Sequence, residues 1–190
     1  MWSIGHELKY WNKTGLEKGK NIYLNYYSVF SLDKYDFVNK KILDIGCGPF
    51  GGVFCFEDKF DVIPMDILAK EYNSMNVSNR KIVFGDLSKK IKVDCKFDYI
   101  ICTNALDHIP DINHGLKELY RVLQPDGILF LYVHLRNKKQ LNKAHVHELN
   151  EKRITKKIKK RGFHIEECLS DVDWVNNESG RVAVSIVCRK

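Results

Sequence analysis

The chain has 190 residues, a formal net charge of +7 and 44% hydrophobic residues, enough apolar material for one domain around one sizeable core. No stretch approaches the roughly 18 uninterrupted apolar residues of a membrane span, and the start MWSIGHELKYWNK is too polar for a signal peptide, so an unsecreted protein without membrane spans is expected. Six cysteines (Cys47, Cys55, Cys95, Cys102, Cys168, Cys188) form no CxxC pair and several sit in apolar runs, which argues for a reducing cytoplasm and against a disulfide framework or a zinc site.

In chain order, the first thirty-odd residues interleave aromatics with charge: Trp2, His6, Tyr10 and Trp11, then Tyr23, Tyr26 and Tyr27. Strand-like apolar runs follow at Lys41–Ile45, Asp61–Met65, Lys81–Phe84, Tyr99–Thr103, Ile128–His134, Phe163–Cys168 and Val182–Cys188, alternating with amphipathic segments. That alternation predicts an α/β fold, a parallel sheet covered on both faces. Ile112–Leu123 is the clearest helix, with Leu116, Leu119, Val122 and Leu123 at helical spacing and a stop at Pro125, Asp126 and Gly127. The last two strands, joined by the polar loop Ser170–Gly180, suit an antiparallel strand near the sheet edge. Positive charge gathers at Arg136–Lys143 and Lys152–Arg161, and the second run places Ile154 and Ile158 on one side of a helix, as a solvated face with an apolar underside does.

The segment 41–52, KILDIGCGPFGG, is a short buried strand ending in glycines. Gly46 and Gly48 allow a tight turn and a close approach of backbone to ligand, and Asp44 offers a carboxylate to a cationic or donor-rich group. Taken alone this is a nucleotide-type turn with the cofactor open. Asp66 ends the second strand, where such sites put an acid on ribose hydroxyls; an exposed strand-end Asp is the plainer reading. Asp86 follows the third strand in Phe84-Gly85-Asp86-Leu87, where a turn-forming Gly-Asp pair competes with a ligand role.

Together with FDYIICTNALDHIPD (97–111) and the run Arg121-Val122-Leu123-Gln124-Pro125-Asp126-Gly127, these residues resemble class I S-adenosylmethionine-dependent methyltransferases, of the type 11-like small-molecule kind. The resemblance covers about residues 41–135 by motif and 148–188 by topology. It implies a Rossmann-like three-layer sandwich with a seven-stranded, mostly parallel sheet and one antiparallel strand. It implies a single methyltransferase domain, with 1–35 a helical extension or lid and 36–190 the core. The implied cofactor is S-adenosyl-L-methionine, leaving S-adenosyl-L-homocysteine, held by Asp44, Gly46, Cys47, Gly48, Asp66, Ile67, Asp86, Leu87 and Asn104. In this family Asp86 would accept from the adenine amino group and Leu87 would flank the ring. Asp126 replaces the family's first glycine and tolerates the turn; Phe50 replaces a third glycine, and packing under the first helix is favoured over contact with the methionine portion.

Ligands of open α/β sheets bind beyond the carboxyl ends of the strands. Asn104, Asp107 and His108 follow the fourth strand, His134 ends the fifth, and His145 and His147 lie beyond it. Histidine can take a proton from a hydroxyl near neutral pH, which an O-methyl acceptor needs. His108 is the first candidate base, with His134, His147 and Asp107 next. A loop-bonding role competes for each. His145-Val146-His147 with Asp107-His108 also alternates as metal ligands do, but without defined ligand spacing no metal is expected. The expected activity is O-methylation of a small molecule, a sugar or sugar-derived anionic metabolite. Alternatives are a nucleic-acid or protein methyltransferase, suggested by the basic balance but lacking the [DN]-P-P-[YF] signature at Thr103-Asn104-Ala105-Leu106, a non-catalytic cofactor-binding subunit, and a nicotinamide dehydrogenase. Oligomeric state is left open.

Overall fold

A computed structural model describes residues 4–142, 145–170 and 182–190; Trp2, the His6 side chain and nearly all of the loop expected at 170–180 lie outside what is described. Two helices, α1 (Ile4–Thr14) and α2 (Leu16–Val29), precede the sheet. They are followed by β1 (Lys41–Ile45), β2 (Asp61–Asp66), α3 (Ala69–Met75), β3 (Val83–Phe84), β4 (Phe97–Thr103), α4 (Ile112–Val122), β5 (Leu123–Leu135), α5 (Glu151–Arg161), β6 (His164–Ser170) and β7 (Val182–Arg189). All seven strands join one sheet in the order β3-β2-β1-β4-β5-β7-β6. Only β7 runs against its neighbours, β5 and β6. The expected α/β architecture is therefore present, with its strand order reversing between β1 and β4.

Period-two alternation in the strands builds a core on each face. From β1, Ile42 joins Ile101, Phe130 and Tyr132 beneath Tyr23, Tyr26, Phe30, Phe54 and Tyr72. Leu43 and Ile45 point the other way, to Leu129, Leu131, Leu116, Leu119, Ile154 and Ile158 of the α4–α5 layer. Asp111 caps α4, its Oδ1 accepting from the backbone N–H groups of Asn113 and His114. In α5, Ile154 and Ile158 are fully buried while its lysines are largely exposed, as the sequence pattern predicts.

Two local expectations change. The turn expected at Pro125–Gly127 lies inside β5: Leu123 pairs with Phe97 and Ile128 with Tyr99, so the intervening residues bulge out, with Asp126 at φ 60°. No helix follows β1; residues 48–60 form successive turns and bends, with Gly51 and Gly52 at φ 82° and 89°. Those left-handed values interrupt a helix. Phe50 consequently packs not under such a helix but against Gly19, Trp11 and Tyr23 of the N-terminal pair.

Candidate active site

The chain leaves β1 through two glycines that require their missing side chains. Gly46 and Gly48 have φ of 74° and 62°. A Cβ on Gly46 would strike the Ala105 methyl group beyond β4, and one on Gly48 the Tyr23 hydroxyl. The turn is held to β2, the Gly46 N–H donating to the Met65 carbonyl at 2.8 Å. Asp66 closes it: Oδ2 accepts from the Gly48 N–H at 3.0 Å and Oδ1 from the Leu68 N–H at 2.8 Å. Asp44 is fully buried behind the turn. Its Oδ2 accepts from the Val53 N–H at 2.7 Å, while Oδ1 has no hydrogen-bond partner among the described residues. Burial pushes the Asp44 carboxyl up to about 7 and raises that of Asp66 too.

The N-terminal helices lie directly over this turn. The Tyr23 hydroxyl donates to the Cys47 carbonyl at 2.7 Å, and the Trp11 ring stacks on Tyr23 with centroids 6.0 Å apart. Trp11 Nε1–H donates to Glu7 Oε1 at 2.6 Å. Burial drives the Glu7 carboxyl up to about 7, against the hydrogen bonds of Trp11 and Tyr72 and with the help of neighbouring Asp66. Glu7 and Tyr72 thus neighbour Asp66, and Tyr23 neighbours Asp44, the two carboxylates marked in the sequence. The aromatic pattern flagged the segment, but nothing in it singled out Glu7.

The remaining cofactor candidates divide. Ile67 is half-exposed beside Asp66. Asp86 is engaged locally: Oδ1 accepts from the Ser88 N–H and hydroxyl, and Lys89 lies 3.3 Å from Oδ2. Burial works to raise its carboxyl, but Ser88 and Lys89 outweigh it and hold it low. Leu87 is buried against the α4 side, beneath Gly115. Asn104 takes a left-handed turn (φ 50°) immediately after β4; its N–H donates to the Tyr132 carbonyl and its Oδ1 accepts from His134 Nδ1 at 2.6 Å.

Across the switch point, β4 and β5 deliver the second cluster. The short helical turn Leu106–His108 buries Asp107 to 2% exposure. Neither of its carboxylate oxygens accepts a hydrogen bond among the described residues; instead His145 Nδ1 stands 3.6 Å and His108 Nε2 4.0 Å from Oδ2, at ion-pair distance. Burial would raise this carboxyl, yet the imidazoles of His145, His108 and His134 together drive it down to about 2. The His108 and His145 rings lie 4.3 Å apart. One ligand atom each from Asp107, His108 and His145 falls within 4.8 Å of the others, so the group has the compactness of a metal site.

His147 is drawn elsewhere. Its Nε2–H donates to the Ile109 carbonyl at 2.6 Å, tying the segment after β5 to the loop after β4. Arg136 is the residue the sequence hid: it reads as the start of a basic run, but it is 7% exposed and its Nη2 sits 2.9 Å from His145 Nε2. Its backbone pairs in both directions with Leu149, which folds residues 145–149 back onto the end of β5. A cavity of about 430 Å³ at the opposite, amino ends of β1, β2 and β4, lined by Lys41, Asp61, Ile63, Asp94, Cys95 and Phe97, shares no residue with either cluster.

Residues 43–131 match the methyltransferase domain family. A sterol 4-C-methyltransferase of Caenorhabditis elegans is 34% identical over 104 residues, 50% of this chain and 31% of that protein. A ubiquinone biosynthesis O-methyltransferase of Glaesserella parasuis is 30% identical over 104 residues, 48% of this chain and 44% of its own length. The chain thus spans less than half the length of these curated relatives. Among solved structures, the Burkholderia thailandensis 1,6-didemethyltoxoflavin-N1-methyltransferase, bound to 1,6-didemethyltoxoflavin and S-adenosylhomocysteine, superposes with a TM-score of 0.65 at 16% identity, covering 93% of this chain and 80% of that one. An S-adenosylmethionine-dependent methyltransferase of Mesorhizobium loti gives 0.63 at 15% identity, covering 87% and 98%. At these identities the structural likeness speaks for the fold.

Proposed function

We propose that this chain, a member of the class I S-adenosylmethionine-dependent methyltransferase family over residues 43–131, methylates an oxygen of a small molecule, a sugar or a sugar-derived anionic metabolite. The observation that carries the reading is the buried Asp107 carboxylate ringed by His108, His134 and His145 at the carboxyl ends of β4 and β5, beside Asn104 and across from the glycine turn.

The residues of the turn fit the cofactor. Gly46 and Gly48 keep the turn free of side chains, Asp44 Oδ1 is a buried acceptor without a donor among the described residues, and Asp66 stands at the strand end where ribose hydroxyls are held. Asp44, Gly46, Cys47 and Gly48 would hold the methionine part, Asp66 and Ile67 the ribose, Asp86 and Leu87 the adenine, with Asn104 facing them. When bound, the sulfonium supplies an electrophilic methyl group. The chain's own work is to align the acceptor and exclude water. His108 takes the acceptor hydroxyl's proton, with His134 second in line, and the Asp107 charge stabilises the imidazolium that results. Helices α1 and α2 act as the lid over the cofactor. The six free cysteines suit the cytoplasm, and among the described residues no helix is long and apolar enough to cross a membrane.

Screening hydroxylated metabolites with S-adenosylmethionine for a mass gain of one methyl group tests the activity. With an acceptor in hand, His108→Ala is expected to lower turnover by about 100-fold or more at nearly unchanged cofactor affinity. Turnover that survives this change would remove His108 from the chemistry.

A further inference from the structure

The compact group Asp107, His108 and His145 invites a metal ion, but the partner of His145 points to a different use. Arg136 is a donor only. With its Nη2 2.9 Å from His145 Nε2, that nitrogen accepts, and the neutral ring carries its proton on Nδ1. Nδ1 is the atom aimed at Asp107 Oδ2, 3.6 Å away. A metal would need the Nδ1 lone pair, and a metal-bound imidazole hands the proton of its other nitrogen to an acceptor. Here the other nitrogen meets a guanidinium. The sequence of groups is therefore donor, acceptor, donor, carboxylate: Arg136, His145 Nε2, His145 Nδ1–H, Asp107.

We propose that Arg136 and His145 are positioning residues that fix the Asp107 carboxylate, its charge turned toward His108, and that this site takes a proton-transfer arrangement in place of a divalent cation. Arg136 is held for this by the paired Arg136–Leu149 backbone, and His145 by the same fold-back. The assignment rests on the reading of His108 as the base only for its effect on turnover; the tautomer of His145 does not depend on it. No bond beyond the acceptor's O–H is broken in this step: the proton moves to the imidazole, and Asp107 remains a carboxylate throughout.

The test reads the ring directly. In ¹⁵N-labelled, tag-free protein, long-range ¹H–¹⁵N spectra are expected to show His145 with its proton on Nδ1, and Arg136→Gln is expected to release that preference, circular dichroism confirming that the variant folds. An Nε2–H ring in the wild-type protein overturns the proposal without need of any variant. Zn²⁺ is expected not to bind the protein stoichiometrically; one equivalent bound in the wild type and lost in Asp107→Asn overturns it as well. With an acceptor available, His145→Asn, whose amide N–H can occupy the place of Nδ1–H, is expected to retain more kcat than His145→Leu by about tenfold, at similar KM. Equal loss in both overturns the positioning role, whereas an indifferent His108→Ala with the tautomer as stated would overturn only the choice of base.

Discussion

Asp44 and Asp66 show how much two carboxylates of one turn can differ. Asp66 accepts from the Gly48 and Leu68 N–H groups, so its oxygens already organise the loop that a ribose would lie against. Asp66→Ala is expected to weaken S-adenosylmethionine by about 1–3 kcal/mol in calorimetric titration, and an unchanged dissociation constant would remove the ribose role. Asp44 has one oxygen bonded to the Val53 N–H and one with no donor among the described residues. Both acids were legible in the sequence because one stands two residues before the glycine turn and the other ends the second strand, places that a few neighbouring residues define. Arg136 was not: charge alone puts it at the start of a basic run, and only the fold-back through Leu149 buries it against His145.

At the scale of elements, the contact between α1–α2 and the glycine turn fills the space beside Gly48. Tyr23 and Trp11 stand where a side chain on Gly48 would go. Gly48→Ala therefore meets both a left-handed backbone and the Tyr23 hydroxyl, and is expected to lower the melting temperature and abolish cofactor binding by titration. Tyr23→Phe leaves the ring in place and removes only the bond to the Cys47 carbonyl; a loss of about 1 kcal/mol in denaturant unfolding is expected. The helices themselves were readable from the aromatic pattern only as a segment outside the sheet. That they cover the turn follows from Phe50, whose ring fills the space left by Gly19 and replaces a helix after β1 with a contact to α2.

Over the whole molecule, stability should reflect two groups of acids with opposite shifts. Glu7 and Asp44 sit near 7 against ordinary values of 4.5 and 3.8, so the folded chain holds their protons more firmly than the unfolded one. Their contribution is present at acidic pH and is lost as pH rises from about 4 through about 7, at a slope of at most ~1.4 kcal/mol per pH unit for each group. Asp107, pulled to about 2, acts in reverse and loses its contribution as pH falls from about 4 through 2. Thermal unfolding followed across this range is expected to show highest stability in mildly acidic solution and a decline toward neutrality. Glu7→Gln should make that decline shallower; an unchanged slope would place the Glu7 carboxyl in water rather than against Asp66.

By itself the sequence determined the seven strands, the helix between β4 and β5 and the acids and glycines around the turn after β1, because strand periodicity, turn chemistry and a glycine's freedom act over a few neighbouring residues. It also ranked His108 ahead of His134, His147 and Asp107 as the candidate base. Only the tertiary structure gave them their partners: His147 donates to the Ile109 carbonyl, His134 donates from Nδ1 to Asn104, and His145 is bound between Arg136 and Asp107. Burial and hydrogen-bond partners belong to residues far apart in the chain, and no local pattern records them. For the same reason the place of Glu7 beside Trp11 and Asp66 came only from the packing of α1 and α2 over the turn.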